Sequence, residues 1–157
     1  MSFAEVLKIH ERLNELFLLH QESLLRLDLE SAAERLRMYE RELRAHMRVE
    51  EDLLMPIYER AGKIAGGPPE FFIGEHRRML EFLARFAATL DELKEEGGDP
   101  SRSVIRLFDE EAMFKSLCEH HDMRERNIFF PALDRVTDEA ERRELIGRCL
   151  AANLQLE

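Results

Sequence analysis

Along four stretches of the chain the apolar residues recur at alternating steps of three and four, and no window alternates with period two. One seam runs through Phe3, Val6, His10, Leu13, Phe17, His20, Leu24 and Leu27. A second takes in Leu36, Tyr39, Leu43, His46, Glu50, Leu53 and Ile57. The third passes Phe72, His76, Met79, Leu83 and Phe86, and the fourth Leu107, Glu111, Phe114, Cys118, His121, Glu125 and Ile128. Helix breakers separate them: Asp28 to Ser31, the run from Gly62 to Pro69, and Gly97-Gly98-Asp99-Pro100. This spacing predicts helices over 3–27, 31–60, 69–96 and 100–134, with a short fifth over 138–153. Ser2 with Glu5, Ser31 with Glu34 and Asp138 with Glu141 have the spacing of capping boxes. Pro69 and Pro100 suit the first position of a helix, and Gly97 suits a stop. Pro56 and Pro131 should kink or end their helices.

Seams of this kind pack at shallow angles, and short connections set neighbouring helices antiparallel. The expected fold is all-α: an up-down-up-down four-helix bundle over 1–136. A short C-terminal helix in 137–157 packs on the bundle or extends from it.

The chain has 157 residues, enough for one domain with a sizeable core. Its net charge of -10 argues against a nucleic-acid partner, since binding a phosphate backbone needs clustered Lys and Arg. No apolar run approaches the roughly 20 residues of a membrane-spanning helix. The N-terminal stretch carries charges throughout, unlike a secretion signal. Cys118 and Cys149 are too few for a disulfide framework, so a reduced, cytoplasmic protein is the simplest expectation.

The polar residues inside the seams change the picture. Five of the six histidines lie on them, with only three carboxylates: Glu50, Glu111 and Glu125. Burying an unpaired carboxylate is costly, and a cation shared with imidazole offsets that cost. In an antiparallel hairpin, two residues share a height when their midpoint falls on the turn. The midpoint of His10 and His46 is residue 28, that of His76 and His121 lies between 98 and 99, and that of His46 and His76 is residue 61. Four imidazoles, one per helix, therefore share one level. Glu50 follows His46 by four residues and Glu125 follows His121 by four, one turn further along the same face. Four histidines and two bridging carboxylates suit two metal ions. The stretches HMRVEEDLLMPIYER (46–60) and HDMRERNIFFPALDR (121–135) align without gaps on His, Glu, Pro and Arg. This repeat suggests two similar helix pairs about an approximate twofold axis.

Further along the bundle, His20 and Glu111 share a level, with Tyr39 close by. They are expected to form a second polar layer, hydrogen-bonded and lining a route for protons or small ligands. Cys118 is expected as a buried core thiol, and His120, off the seam, near the surface or behind the site.

A lone His in helices 1 and 3, with H-x-x-x-E, an apolar stretch and Pro in helices 2 and 4, resembles the hemerythrin-like (HHE cation-binding) family over residues 3–134. The resemblance implies a non-haem pair of iron ions with carboxylate and oxo or hydroxo bridges. Its ligands by position would be His10, His46, Glu50, His76, His121 and Glu125. Where the oxygen-carrying members have H-x-x-x-H, His76 is followed by Leu80; where they have H-x-x-x-x-D, Arg126 stands and Glu125 takes the role. The set is closer to bacterial members with four His and two Glu. Three functions stay open. The first is binding of a small diatomic, O2 or NO, or sensing of redox or iron state, with a separate redox or output partner protein. The second is an enzyme reducing NO or peroxide or repairing iron–sulfur clusters. The third is a metal that only staples the bundle.

Overall fold

The computed structural model describes residues 1–154; residues 155–157, the end of the expected C-terminal segment, lie outside the described residues. A 3-10 turn at Phe3–Val6 leads into α1 (Leu7–Leu25), followed by α2 (Leu29–Val49), α3 (Met55–Tyr58), α4 (Pro69–Glu96), α5 (Ser101–Arg124), α6 (Phe130–Val136) and α7 (Glu139–Leu154). The architecture is the all-α, up-down-up-down bundle that the seams predict. Its long rods are α1, α2, α4 and α5, and α7 lies against α2 and the Phe3–Val6 turn.

The ends of the helices show where local chemistry differs from the pattern. Helix α2 starts two residues before Ser31, because the Asp28 carboxylate accepts the Ser31 N–H at 3.1 Å and caps the helix. Helix α5 starts at Ser101, with Asp99 accepting both its N–H and its hydroxyl, so Pro100 precedes the helix rather than opening it. Asp138 caps α7 through the Glu141 N–H at 2.8 Å, as the capping spacing predicts. Leu27 ends α1 in a left-handed conformation at φ 58°. That twist lets the Asp28 N–H reach back to the Ser23 carbonyl at 2.9 Å.

The two expected long helices, 31–60 and 100–134, are each interrupted. A wide π turn spans Glu50–Leu54 between α2 and α3, and a second spans Glu125–Phe129 between α5 and α6. The Met55 N–H bonds the Glu50 carbonyl, and the Phe130 N–H bonds that of Glu125, five residues back in each case. Pro56 and Pro131 stand next in line and have no N–H to continue the ladder. Widening the preceding turn accommodates them without ending the rod. Each wide turn starts at the glutamate of the repeat.

The core holds two groups of aromatic rings. Phe17, Tyr39, Phe86 and Phe114 pack at centroid distances of 5.1–6.0 Å towards one end. Tyr58, Phe72 and Phe129 pack at 4.9–5.6 Å towards the other. Each fully buried Phe contributes roughly 1.5–3 kcal/mol. The polar centre lies between these two groups, on rods fixed from both sides.

Candidate metal centre

His10 of α1, His46 of α2, His76 of α4 and His121 of α5 meet on the bundle axis. The Nε2 atoms of His10 and His46 are 3.0 Å apart, and those of His76 and His121 are 3.1 Å apart. Glu50 and Glu125 lie between the pairs. Glu125 Oε1 is 3.3 Å from His10 Nε2 and 3.0 Å from His121 Nε2. Glu50 Oε1 is 2.5 Å from His46 Nε2 and 4.0 Å from His76 Nε2. Each carboxylate therefore reaches towards both histidine pairs. The potential ligand atoms form two groups, each within 4.8 Å: His10, His46, Glu50 and Glu125 in one, and Glu50, His76 and His121 in the other.

Glu50 and Glu125 are 1 % and 0 % exposed, and apart from the facing histidine nitrogens their four side-chain oxygens have no hydrogen-bond partner among the described residues. Two buried carboxylates with only histidine nitrogens beside them are costly, several kcal/mol each. Imidazole and carboxylate together are donors suited to iron, zinc and similar ions. The residues fit a pair of cations, which would satisfy the oxygens and the facing Nε2 lone pairs at once.

Three acidic residues adjoining the ligands in sequence hold the outer side of the rings. Asp122 Oδ1 is 2.5 Å from His10 Nδ1, Glu51 Oε1 is 3.0 Å from His76 Nδ1, and Glu75 Oε1 is 3.2 Å from His121 Nδ1. Since a carboxylate accepts, the Nδ1–H donates, and once the Nε2 proton is lost that nitrogen's lone pair faces inward. Each acid serves a histidine on a different helix from its own. Arg124 donates to Glu75 at 3.1 Å, and Arg126 donates to Asp122 at 3.2 Å. Sequence reading missed these three acids because they lie off the apolar seam. The signal available was position: Glu51 follows Glu50, Glu75 precedes His76, and Asp122 follows His121.

From the protein's own groups alone, burial pulls His10 down, but the charge of Glu125 and the hydrogen bond to Asp122 outweigh it and set it at about 10. His121 is raised against the same burial by Glu125 and Glu75. Burial pushes Glu125 up, yet the facing charges of His121 and His10 hold it well below the usual carboxylate range. Without a metal, the centre therefore holds charge of both signs.

His20 and Glu111 are both 0 % exposed, with Nε2 and Oε2 2.6 Å apart. His20 Nδ1 donates to the Ala32 carbonyl at 2.8 Å, and Gln21 donates to the other Glu111 oxygen at 3.1 Å. Tyr39 does not join this layer. Its ring packs tilted against Phe17 at 5.1 Å and edge-on against Phe114 at 6.0 Å. The His20–Glu111 pair is not among the residues that line the large cavity beside the histidines. Cys118 is not a sealed core thiol either; it is partly exposed and faces that cavity. His120 is exposed. Glu42, also unforeseen, is buried and paired with Arg12 at 2.8 Å through both oxygens.

A four-helix bundle whose axis carries imidazoles from every rod and carboxylates between them defines a class of cation-binding protein. A family model, the hemerythrin HHE cation binding domain, matches residues 2–133, and the chain belongs to that family. Comparison with curated proteins and with solved structures returned no match. Among the described residues no helix is long and apolar enough to cross a membrane.

Proposed function

We propose that the chain is a non-haem di-iron protein of the four-His, two-Glu kind, binding a small diatomic such as O2 or NO. The observation that carries this reading is that Glu50 and Glu125 each approach both histidine pairs with oxygens that have no other partner. In this reading His10, His46, His76 and His121 hold the ions, and Glu50 and Glu125 join them. An iron pair supplies two accessible redox states and a positive, electrophilic centre for a small ligand.

The rest of the work falls to the chain. Asp122, Glu51 and Glu75 fix the tautomers and hold the rings in place. Each cation position would have two histidines, with Glu50 and Glu125 shared between the two, and Leu80 stands where oxygen carriers have a further histidine, which leaves room for a guest. Phe72 and Phe130 pack against His121 and His10 at 6.3 and 6.2 Å and keep water from that side.

The test is reconstitution with ferrous iron under exclusion of air, followed by oxygen. The expected result is about two irons per chain and near-ultraviolet absorption that appears on oxidation and responds to NO. Glu50→Gln and Glu125→Gln should each lower the iron content. One metal per chain, or zinc held with no redox response, defeats the reading.

A further inference from the structure

A cavity of about 520 Å³ opens from the histidines towards solvent. That is far more space than a diatomic needs, since one water occupies about 30 Å³ of liquid, and it lies within the usual range for organic ligands. Its inner end is formed by the four imidazoles and Glu125, its deeper walls are mostly apolar (Leu13, Phe17, Leu43, Met47, Met79 and Phe114), and Asn14, Lys115, Glu119 and Asp122 add polar groups to the lining. Tyr39 and Cys118 also line it.

The mouth lies along the seam between α1 and α5. Leu18 is 45 % exposed there, and Met123 is 56 % exposed. The seam is held at both ends, by His10–Asp122 on one side and by Gln21–Glu111 on the other, and the mouth is the interval between them. From His10 to Leu18 the helix rises about 12 Å at ~1.5 Å per residue, roughly the length of an acyl chain of ten carbons.

We infer that this cavity binds an amphipathic organic monoanion, a medium-chain carboxylate, with its head at the metal centre and its tail running out between α1 and α5. The choice of an anion rests on the di-iron reading above. Glu50 and Glu125 cancel two of the four charges of a pair of divalent ions; Asp122, Glu51 and Glu75 behind the rings add three negative charges and Arg124 and Arg126 two positive ones, which leaves one positive charge for a monoanion to match. The choice of an alkyl tail rests on the walls, whose methionines and leucines adapt to a flexible chain.

The experiment uses full-length, iron-loaded protein with its metal content measured first. Decanoate, butyrate and the neutral decanol are titrated, with heat of binding and the near-ultraviolet absorption as readouts. Decanoate should bind at least tenfold more tightly than butyrate, which lacks the tail, and than decanol, which lacks the charge. Leu18→Trp narrows the mouth at an exposed position. It should bring decanoate down to the level of butyrate, while iron content and the response to azide stay unchanged. Equal binding of decanoate and butyrate, equal binding of decanoate and decanol, or no effect of Leu18→Trp overturns the inference. A chain that takes up iron and responds to azide but binds no decanoate overturns this inference and leaves the di-iron reading standing. A chain that takes up no metal overturns both.

Discussion

At the scale of the residue, two buried contacts set sharp expectations. Gly67 lies where the connection before α4 crosses the two wide-turn rods. The Tyr58 hydroxyl donates to its carbonyl, and an added Cβ would stand 2.5 Å from the Tyr58 oxygen and 2.6 Å from Ile128 Cγ2. Gly67→Ala should cost about 1–3 kcal/mol in a urea titration, because neither neighbour is a free chain end. The His20–Glu111 pair gives the second. Glu111→Leu leaves a buried imidazole nitrogen without its acceptor and should cost about 3 kcal/mol. His20→Leu with Glu111→Leu should cost clearly less than the two single changes added together, as a double-mutant cycle of unfolding energies would show. That pair was legible in the sequence, because two polar residues at one height on apolar seams need each other. Asp122, Glu51 and Glu75 were not, because an acid beside a ligand looks like any surface acid until a neighbouring helix brings its histidine round to it.

At the scale of the element, the 3-4 spacing was enough to place all four long rods, and the Asp138–Glu141 capping spacing marked the start of the fifth helix. The ends of the helices were harder to read. Ser31 and Asp28 are both capping residues, and only the contact with the Ser31 N–H decides between them. The wide turns were announced by Pro56 and Pro131 but read as kinks, since a missing N–H does not say how the ladder closes around it. Leu27 offers a test of local strain. It holds a left-handed φ of 58° with a side chain 40 % exposed, so its branched body costs conformational energy and returns little packing. Leu27→Gly should raise stability by up to about 1 kcal/mol, seen as a higher urea midpoint at unchanged slope.

At the scale of the whole molecule, the centre links protons, metal and folding. His10 is held at about 10, burial lowering it and Glu125 and Asp122 more than reversing that. Its contribution to stability is fully present below the ordinary 6.5 and is lost as pH climbs towards 10. Glu125 acts in the opposite sense: burial raises it, the histidine charges lower it further, and its contribution is present above the ordinary 4.5 and lost as pH falls. Chelator-treated protein should therefore melt highest between pH 4.5 and 6.5 and lower on either side. Metal must displace the histidine protons, so loading should release protons into weak buffer, tighten as pH rises and raise the melting temperature most on the alkaline side.

The seam between α1 and α5 has one more consequence. Short turns tie α1 to α2 and α4 to α5, but α1 and α5 are far apart in the chain and meet only side by side. Parting them strains no loop, whereas parting the rods of either hairpin does. Opening the bundle here would break the His10–Asp122 and Gln21–Glu111 contacts but stretch no connection, so it is the entry for a cation that costs the backbone least.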